Sequence, residues 1–132
     1  MRYMLMMHAP RGDGDWQVNA WTPEELRAHI GFMKTINLEL IASGEWVDAQ
    51  GLAMPAEARV VRAGQDGKPV VTDGPFAESK EFLAGFWILD VPTTERAYEI
   101  ASRISTAPGK GGTPLHMPVE VRQVMSAPPT EA

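Results

Sequence analysis

The sequence predicts an α+β fold, and three observations support this prediction. Two segments with helical periodicity, residues 22–44 and 93–105, alternate with apolar, strand-like segments. Strands are predicted before the first helix, between the two helices and after the second. An extra pair of short strands interrupts the middle of the chain. This order matches a ferredoxin-like sandwich with an inserted β-hairpin.

Residues 2–8 are predicted to form the first strand. Its side chains are apolar on both faces, with Tyr3, Leu5 and Met7 on one face and Met4 and Met6 on the other. A strand with two apolar faces is covered on both of them. The Gly-, Pro- and Asp-rich residues 9–21 are predicted to form a loop.

The first helix has clear start and stop signals. Thr22 is the predicted N-cap, Pro23 suits the first helical position, and Glu25 completes a Thr-x-x-Glu capping box. Gly44 is predicted to end the helix in a left-handed conformation. The stripe expected to face the core consists of Leu26, Ile30, Met33, Ile36, Leu40 and Ile41.

The middle of the chain is predicted to contain strands only. Residues 45–53 hold the second strand, and residues 58–62 and 69–72 form the arms of a hairpin with an Asp-Gly turn between them. Residues 82–91 are the strongest strand candidate. Apolar side chains occupy both parities of that strand, as they do in the first one.

The C-terminal part completes the domain. Thr93 is the predicted N-cap of the helix at 93–105, and a Gly- and Pro-rich loop then leads to a strand at 119–125. Residues 126–132 are expected to be a disordered tail. The chain therefore reads as one domain over residues 1–125.

The two-sided strands also predict an assembly. Two helices can cover only one face of a sheet, but strands 2–8 and 82–91 are apolar on both faces. The second face must be covered by something else, and a second copy of the chain is the simplest candidate. We therefore expect a homodimer packed sheet against sheet.

Composition excludes several classes of function. The chain has 132 residues, a net charge of −5 and a pI of about 5.1, with no basic run. Nucleic-acid backbones and anionic membranes are bound by clusters of Lys and Arg, so neither is expected as a partner. No apolar stretch approaches the length of a transmembrane helix, and the apolar run at the N-terminus is too short for a signal peptide. We expect a cytoplasmic location.

Neither a metal nor a cofactor is predicted. The chain has no cysteine, which excludes disulfides and thiolate chemistry. Its three histidines, His8, His29 and His116, show no metal-ligand spacing. No Gly-rich phosphate loop follows a strand.

Residues 72–81 read Thr-Asp-Gly-Pro-Phe-Ala-Glu-Ser-Lys-Glu. This run resembles the signature of the DGPF branch of the YCII-related family. Gly51-Leu52 and the Glu-Val-Arg-Gln-Val run at 120–124 are also similar to that family, and the resemblance covers residues 1–125. It implies a bacterial, cytoplasmic, dimeric α+β barrel built of ferredoxin-like subunits.

The resemblance implies two alternative functions. Some relatives in the wider family are dehydrochlorinases of chlorinated aromatic degradation that use a His and an Asp, which implies a lyase-like enzyme of aromatic or lactone metabolism. Genes of DGPF proteins often lie near those of extracytoplasmic-function sigma factors, which implies a non-catalytic ligand-binding or regulatory module. The His–Asp pair does not carry over, because Met33 and Ala42 stand near the corresponding positions.

His29 is the first candidate catalytic residue. On the helical wheel it falls inside the apolar arc of the first helix, as does Asn37. A histidine that faces the sheet can act as a general base or anchor a ligand. The alternative is a structural histidine that is satisfied by a backbone carbonyl.

Asp73 is the second catalytic candidate. Its carboxylate can accept backbone N–H bonds from the turn that follows, and this turn aims Glu78 and Lys80, the candidate substrate-binding residues. The run then forms either the rim of a pocket or a rigid corner between two strands. Arg122 is the remaining substrate-binding candidate; it can bind an anionic group or pair with Glu120 on the same strand face.

Overall fold

The structure, a computed structural model, describes residues 1–11, 20–76 and 80–126. These residues form an α+β fold, as predicted. The elements in chain order are β1 (Arg2–Pro10), α1 (Pro23–Ser43), β2 (Trp46–Gly51), β3 (Arg59–Ala63), β4 (Pro69–Asp73), β5 (Glu81–Asp90), α2 (Thr94–Ser105) and β6 (Val119–Gln123). Short 3₁₀ turns lie at Pro55–Glu57 and Lys110–Gly112. Most of the predicted tail, residues 127–132, lies outside the described residues.

Four strands form one antiparallel sheet in the order β2-β5-β1-β6. Counted along the chain without the hairpin, this order is 2-3-1-4, which is consistent with a ferredoxin-like fold. Strands β3 and β4 pair separately as the predicted inserted hairpin. The pairing of β1 with β5 shifts between Met7 and His8. Such a bulge bends the sheet next to Met7, which lines the cavity between α1 and the sheet.

Helix α1 begins and ends where its sequence signals predict. The Thr22 hydroxyl accepts from the Glu25 amide at 3.1 Å, and Glu25 Oε1 accepts from the Thr22 amide at 2.8 Å. Gly44 ends the helix with a φ of 79°. These local bonds satisfy amides that have no partner inside the helix.

The predicted core stripe of α1 is partly wrong. Ile36 and Leu40 are buried, but Ile30 and Ile41 are 55% and 53% exposed. At about 100° per residue, both lie more than about 100° around the helix from Ile36. The face that packs on the core is instead centred near Ile36 and includes Phe32, which the sequence analysis left out.

Both helices pack on one face of the sheet and form the core with it. The predicted stripe of α2 is buried: Ala97, Ile100, Ala101 and Ile104. Glu45, directly after α1, accepts two hydrogen bonds from the Arg96 guanidinium at 2.8 and 2.9 Å. These bonds hold the pKa of Glu45 below its usual range. The ion pair therefore ties the end of α1 to the first turn of α2.

The other face of the sheet, which we call the open face, carries apolar side chains that are only partly buried: Met4, Met6, Leu83, Phe86 and Ile88. His8 also lies there, and its Nε2 is 2.9 Å from Glu120 Oε1. The two-sided apolar character predicted for β1 and β5 is thus present. Among the described helices, none is long and apolar enough to cross a membrane.

Candidate functional site

A cavity of about 310 Å³ lies between α1 and the end of the sheet. His29, Met33 and Asn37 line it from α1, and their spacing of four residues places them in a row along the helix. The facing wall is mainly apolar and includes Met7, Leu52, Met54, Phe82, Trp87 and Met117. The volume is at the lower end of the range typical of ligand pockets, which suits a small molecule.

His29 supplies a basic nitrogen to this cavity. Its Nδ1 lies 3.0 Å from the Pro108 carbonyl oxygen, which can only accept a hydrogen bond. Nδ1 therefore carries the proton, and Nε2 of the neutral ring keeps its lone pair. The Trp21 ring packs edge-on against the imidazole, with 5.1 Å between ring centroids.

Burial keeps the imidazole neutral. It lowers the pKa of His29 from its ordinary value of 6.5, and the Pro108 carbonyl opposes that shift only in part. The charged form loses hydration that the apolar wall cannot replace. His29 is therefore a neutral hydrogen-bond acceptor at pH 7, which is the form that a general base requires.

The loop after α2 holds Pro108 in place. The Leu115 amide donates to the Ala107 carbonyl at 2.9 Å, and the Gly111 amide donates to the Glu25 carboxylate. Glu25 thus caps α1 and fastens this loop to the same end of the helix. The hydrogen bonds of the loop therefore fix the position of His29.

Asn37 supplies the second polar group. Its Oδ1 accepts from Trp87 Nε1 at 2.9 Å, and an indole nitrogen can only donate. This bond identifies which amide atom is the oxygen. The NH₂ group of Asn37 has no hydrogen-bond partner among the residues that the structure describes, so it is available to a ligand.

Asp73 lies apart from this cavity. It ends β4, and its side chain is 97% exposed and 3.8 Å from the Arg59 guanidinium. The Gly74 amide donates to the Ala58 carbonyl at 2.9 Å, so backbone bonds close this corner. The structure therefore does not bring His29 and Asp73 together in one site, and the catalytic role of each stays a prediction.

Neither Lys80 nor Arg122 lines the cavity that contains His29. Lys80 is exposed just before β5, and Glu78 lies outside the described residues. Arg122 is exposed opposite Met4 on the open face. The predicted partner of Arg122, Glu120, contacts His8 instead.

Sequence reasoning singled out His29 and offered a backbone carbonyl as its alternative partner, and the structure shows such a bond to Pro108. It did not identify Pro108 or Trp21 beside His29, or Trp87 beside Asn37, because tertiary packing brings each of them to the site. Asn37 had a detectable signal, since a polar residue inside an apolar helical arc calls for a partner. Within the described ranges, no group of three or more His, Asp or Glu side chains is placed to hold a metal ion.

Comparison with known proteins places the chain in a family. The sequence model of the YCII-related domain matches residues 1–113. An uncharacterised protein of Rhizobium meliloti (strain 1021) is 29% identical over 89 residues, which cover 67% of this chain and 71% of the relative. The narrower resemblance to the DGPF branch stays a prediction.

Proposed function

This chain belongs to the YCII-related family, and on that premise we propose that it is a small-molecule enzyme of the lyase type, with His29 as its general base. The observation that carries the proposal is the hydrogen bond from His29 Nδ1 to the Pro108 carbonyl. It leaves the Nε2 lone pair of a neutral imidazole in a mainly apolar cavity. A base of lowered pKa is a common property of active sites.

The proposed step is an elimination. His29 Nε2 takes a proton from the bound substrate, and the electron pair of the broken bond forms a new double bond. The leaving group departs with its own electron pair, as chloride does in a dehydrochlorination. The Asn37 NH₂ group can donate to an oxygen that gains negative charge during this step.

The test compares turnover of two histidine variants. His29→Asn keeps an N–H near the position of Nδ1 for Pro108 but lacks the basic Nε2. His116→Asn is the matched control, because His116 is exposed and its φ of 52° suits Asn. Chloride release from chlorinated hydroquinones and opening of lactones are measured for both variants and the wild type.

We expect His29→Asn to lose about 10²–10⁴-fold in kcat/KM and His116→Asn to match the wild type. Activity of the wild type should fall only at pH values below the ordinary pKa of imidazole, because the pKa of His29 is lowered. Turnover that survives in His29→Asn would rule out the proposed base. Binding without turnover of any substrate would leave a binding module in place of an enzyme.

We also propose that the open face is covered by a second copy of the chain. Its partly buried Met4, Met6 and Phe86 favour this arrangement, because a contiguous apolar face is a typical interface. Met6→Glu should give a monomer in sedimentation velocity. Leu38→Glu, a change at an exposed leucine of α1, should leave the dimer intact. A monomeric wild-type protein at micromolar concentration would contradict the proposal.

A further inference from the structure

The wall of the cavity that α1 forms has a defined polarity, which follows from the hydrogen bonds behind its two polar side chains, His29 and Asn37. On the facing wall, the Gln50 amide donates to Asp48 Oδ1. Pro108 occupies the only proton of neutral His29, so the free atom, Nε2, is an acceptor. Trp87 occupies the carbonyl oxygen of Asn37, so the free group is the NH₂ donor. A carbonyl oxygen can only accept and an indole N–H can only donate. These two partners therefore determine the tautomer of His29 and the orientation of the Asn37 amide.

The two free groups face accessible space. Within the described part of the chain, every buried side-chain nitrogen or oxygen has a hydrogen-bond partner. His29 Nε2 and Asn37 Nδ2 have none there, so both atoms are accessible, and both residues line the same cavity. A molecule that lies along α1 in this cavity meets an acceptor near one end of the row and a donor near the other.

Helix geometry sets how far apart the backbones of these two residues lie. His29 and Asn37 are eight residues apart on α1, which is about 12 Å along the helix axis. Met33 lies midway between them and also lines the cavity. The cavity therefore presents an acceptor, an apolar middle and a donor in that order.

The cavity also disfavours charge. Of the described residues that line it, none is an Asp, Glu, Lys or Arg. The one titratable side chain among them, His29, is neutral at pH 7 because burial lowers its pKa. A carboxylate would lose its hydration here without gaining a cation, and that loss is costly.

We propose that this cavity selects an uncharged molecule with a hydrogen-bond donor at one end, an apolar ring or chain in the middle and a hydrogen-bond acceptor at the other end. The donor binds His29 Nε2, the middle packs on Met33 and the acceptor binds Asn37 Nδ2. The inference rests on the proposed function in taking this cavity as the ligand site. A para-substituted benzene ring, extended by a hydrogen bond of about 3 Å at each end, is comparable in length to the axial separation of these two residues.

Four one-ring probes test this polarity in the wild-type protein by calorimetric titration at pH 7. 4-Hydroxyacetophenone has the donor and the acceptor, 4-methoxyacetophenone lacks the donor, and 4-ethylphenol lacks the acceptor. 4-Hydroxybenzoate replaces the neutral acceptor by an anion. We expect 4-hydroxyacetophenone to bind most tightly, with Kd about 10-fold higher for each missing hydrogen bond. The benzoate should bind about 100-fold more weakly or not at all.

Two variants show which residue binds the hydroxyl end of the probe and which binds its carbonyl end. Asn37→Asp keeps an acceptor for Trp87 Nε1 but replaces the free donor, so it should lose the preference for 4-hydroxyacetophenone over 4-ethylphenol. His29→Asn should instead lose the preference for the hydroxy over the methoxy probe. If Asn37→Asp does not fold, the wild-type panel still tests the order of the probes.

The inference is overturned if 4-hydroxybenzoate binds as tightly as 4-hydroxyacetophenone. It is equally overturned if no probe binds at millimolar concentration, or if a folded Asn37→Asp keeps the wild-type preferences. Turnover is not part of this readout. If the probes bind in the expected order but no substrate is turned over, the polarity of the cavity is supported and the proposed enzymatic activity is rejected. If anionic substrates are turned over, the enzymatic activity is supported and the preference for uncharged molecules is rejected.

Discussion

The cavity beside α1 and the corner after β4 use polar residues in opposite ways. His29 and Asn37 stand among apolar side chains, and each has one polar atom bound to a distant part of the chain. Asp73 at the corner is 97% exposed, and its ion pair with Arg59 is long at 3.8 Å. The sequence run around Asp73 is the more conspicuous of the two, but its polar groups are exposed to water and interact more weakly.

This difference shows why burial matters more than the number of charged residues. Water solvates Asp73 and screens its interaction with Arg59, so this ion pair contributes little to stability. Removal from water changes His29, whose pKa is lowered and whose tautomer is fixed. We therefore expect substitutions at the cavity to have larger effects than substitutions at the corner.

The largest expected effect is that of Asn37→Leu. This change leaves the Nε1–H of Trp87, a residue only 5% exposed, without its acceptor. An unsatisfied buried donor costs about 1–3 kcal/mol, and urea denaturation should show that loss in the free energy of unfolding. Gln50→Leu is the control, because Gln50 lies at the exposed edge of the same cavity and its amide donates to Asp48, and it should cost less than about 0.5 kcal/mol. Equal losses would show that burial of the Trp87 Nε1–H does not set the cost.

The next effect is a pH dependence of stability that depends on His29. Because its folded-state pKa lies below the ordinary 6.5, the unfolded chain takes up a proton that the folded protein does not. The free energy of unfolding is therefore not reduced by His29 above pH 6.5. It decreases as the pH falls from the unfolded-state pKa of His29 towards its lower folded-state pKa. One proton limits the slope to about 1.4 kcal/mol per pH unit.

The measurement is urea unfolding of the wild type and His29→Asn between about pH 5 and pH 8. The wild type should lose more stability towards acid than the variant does. Parallel curves for the two proteins would show that His29 titrates alike in the folded and unfolded states, which would also remove the basis for a neutral buried base.

The smallest expected effect is that of Asp73→Asn. Exposed ion pairs contribute little, so the free energy of unfolding should change by less than about 0.5 kcal/mol. Binding of 4-hydroxyacetophenone should also be unchanged, since Asp73 does not line the cavity. A loss of binding with intact stability would instead make the corner part of a ligand site.

The candidate site was only half predictable from the sequence. His29 was identified from its place in the apolar arc of α1, and in the structure it lines the cavity between α1 and the sheet. The carbonyl that fixes its tautomer belongs to Pro108, 79 residues away, and Trp87 is 50 residues from Asn37. No local pattern connects such pairs. The dimer and the sigma-factor partner stay predictions.

What the sequence determined by itself is the set of local structures. The capping box of Thr22 and Glu25 fixed the start of α1, Gly44 fixed its end, and turn residues fixed the inserted hairpin, because each involves bonds between residues close in the chain. Tertiary structure decided the rotation of α1, which exposes Ile30 and Ile41, and the state of each polar atom in the cavity. Burial and long-range hydrogen bonds arise only when distant segments pack together, and these two effects turn an ordinary histidine into a neutral base.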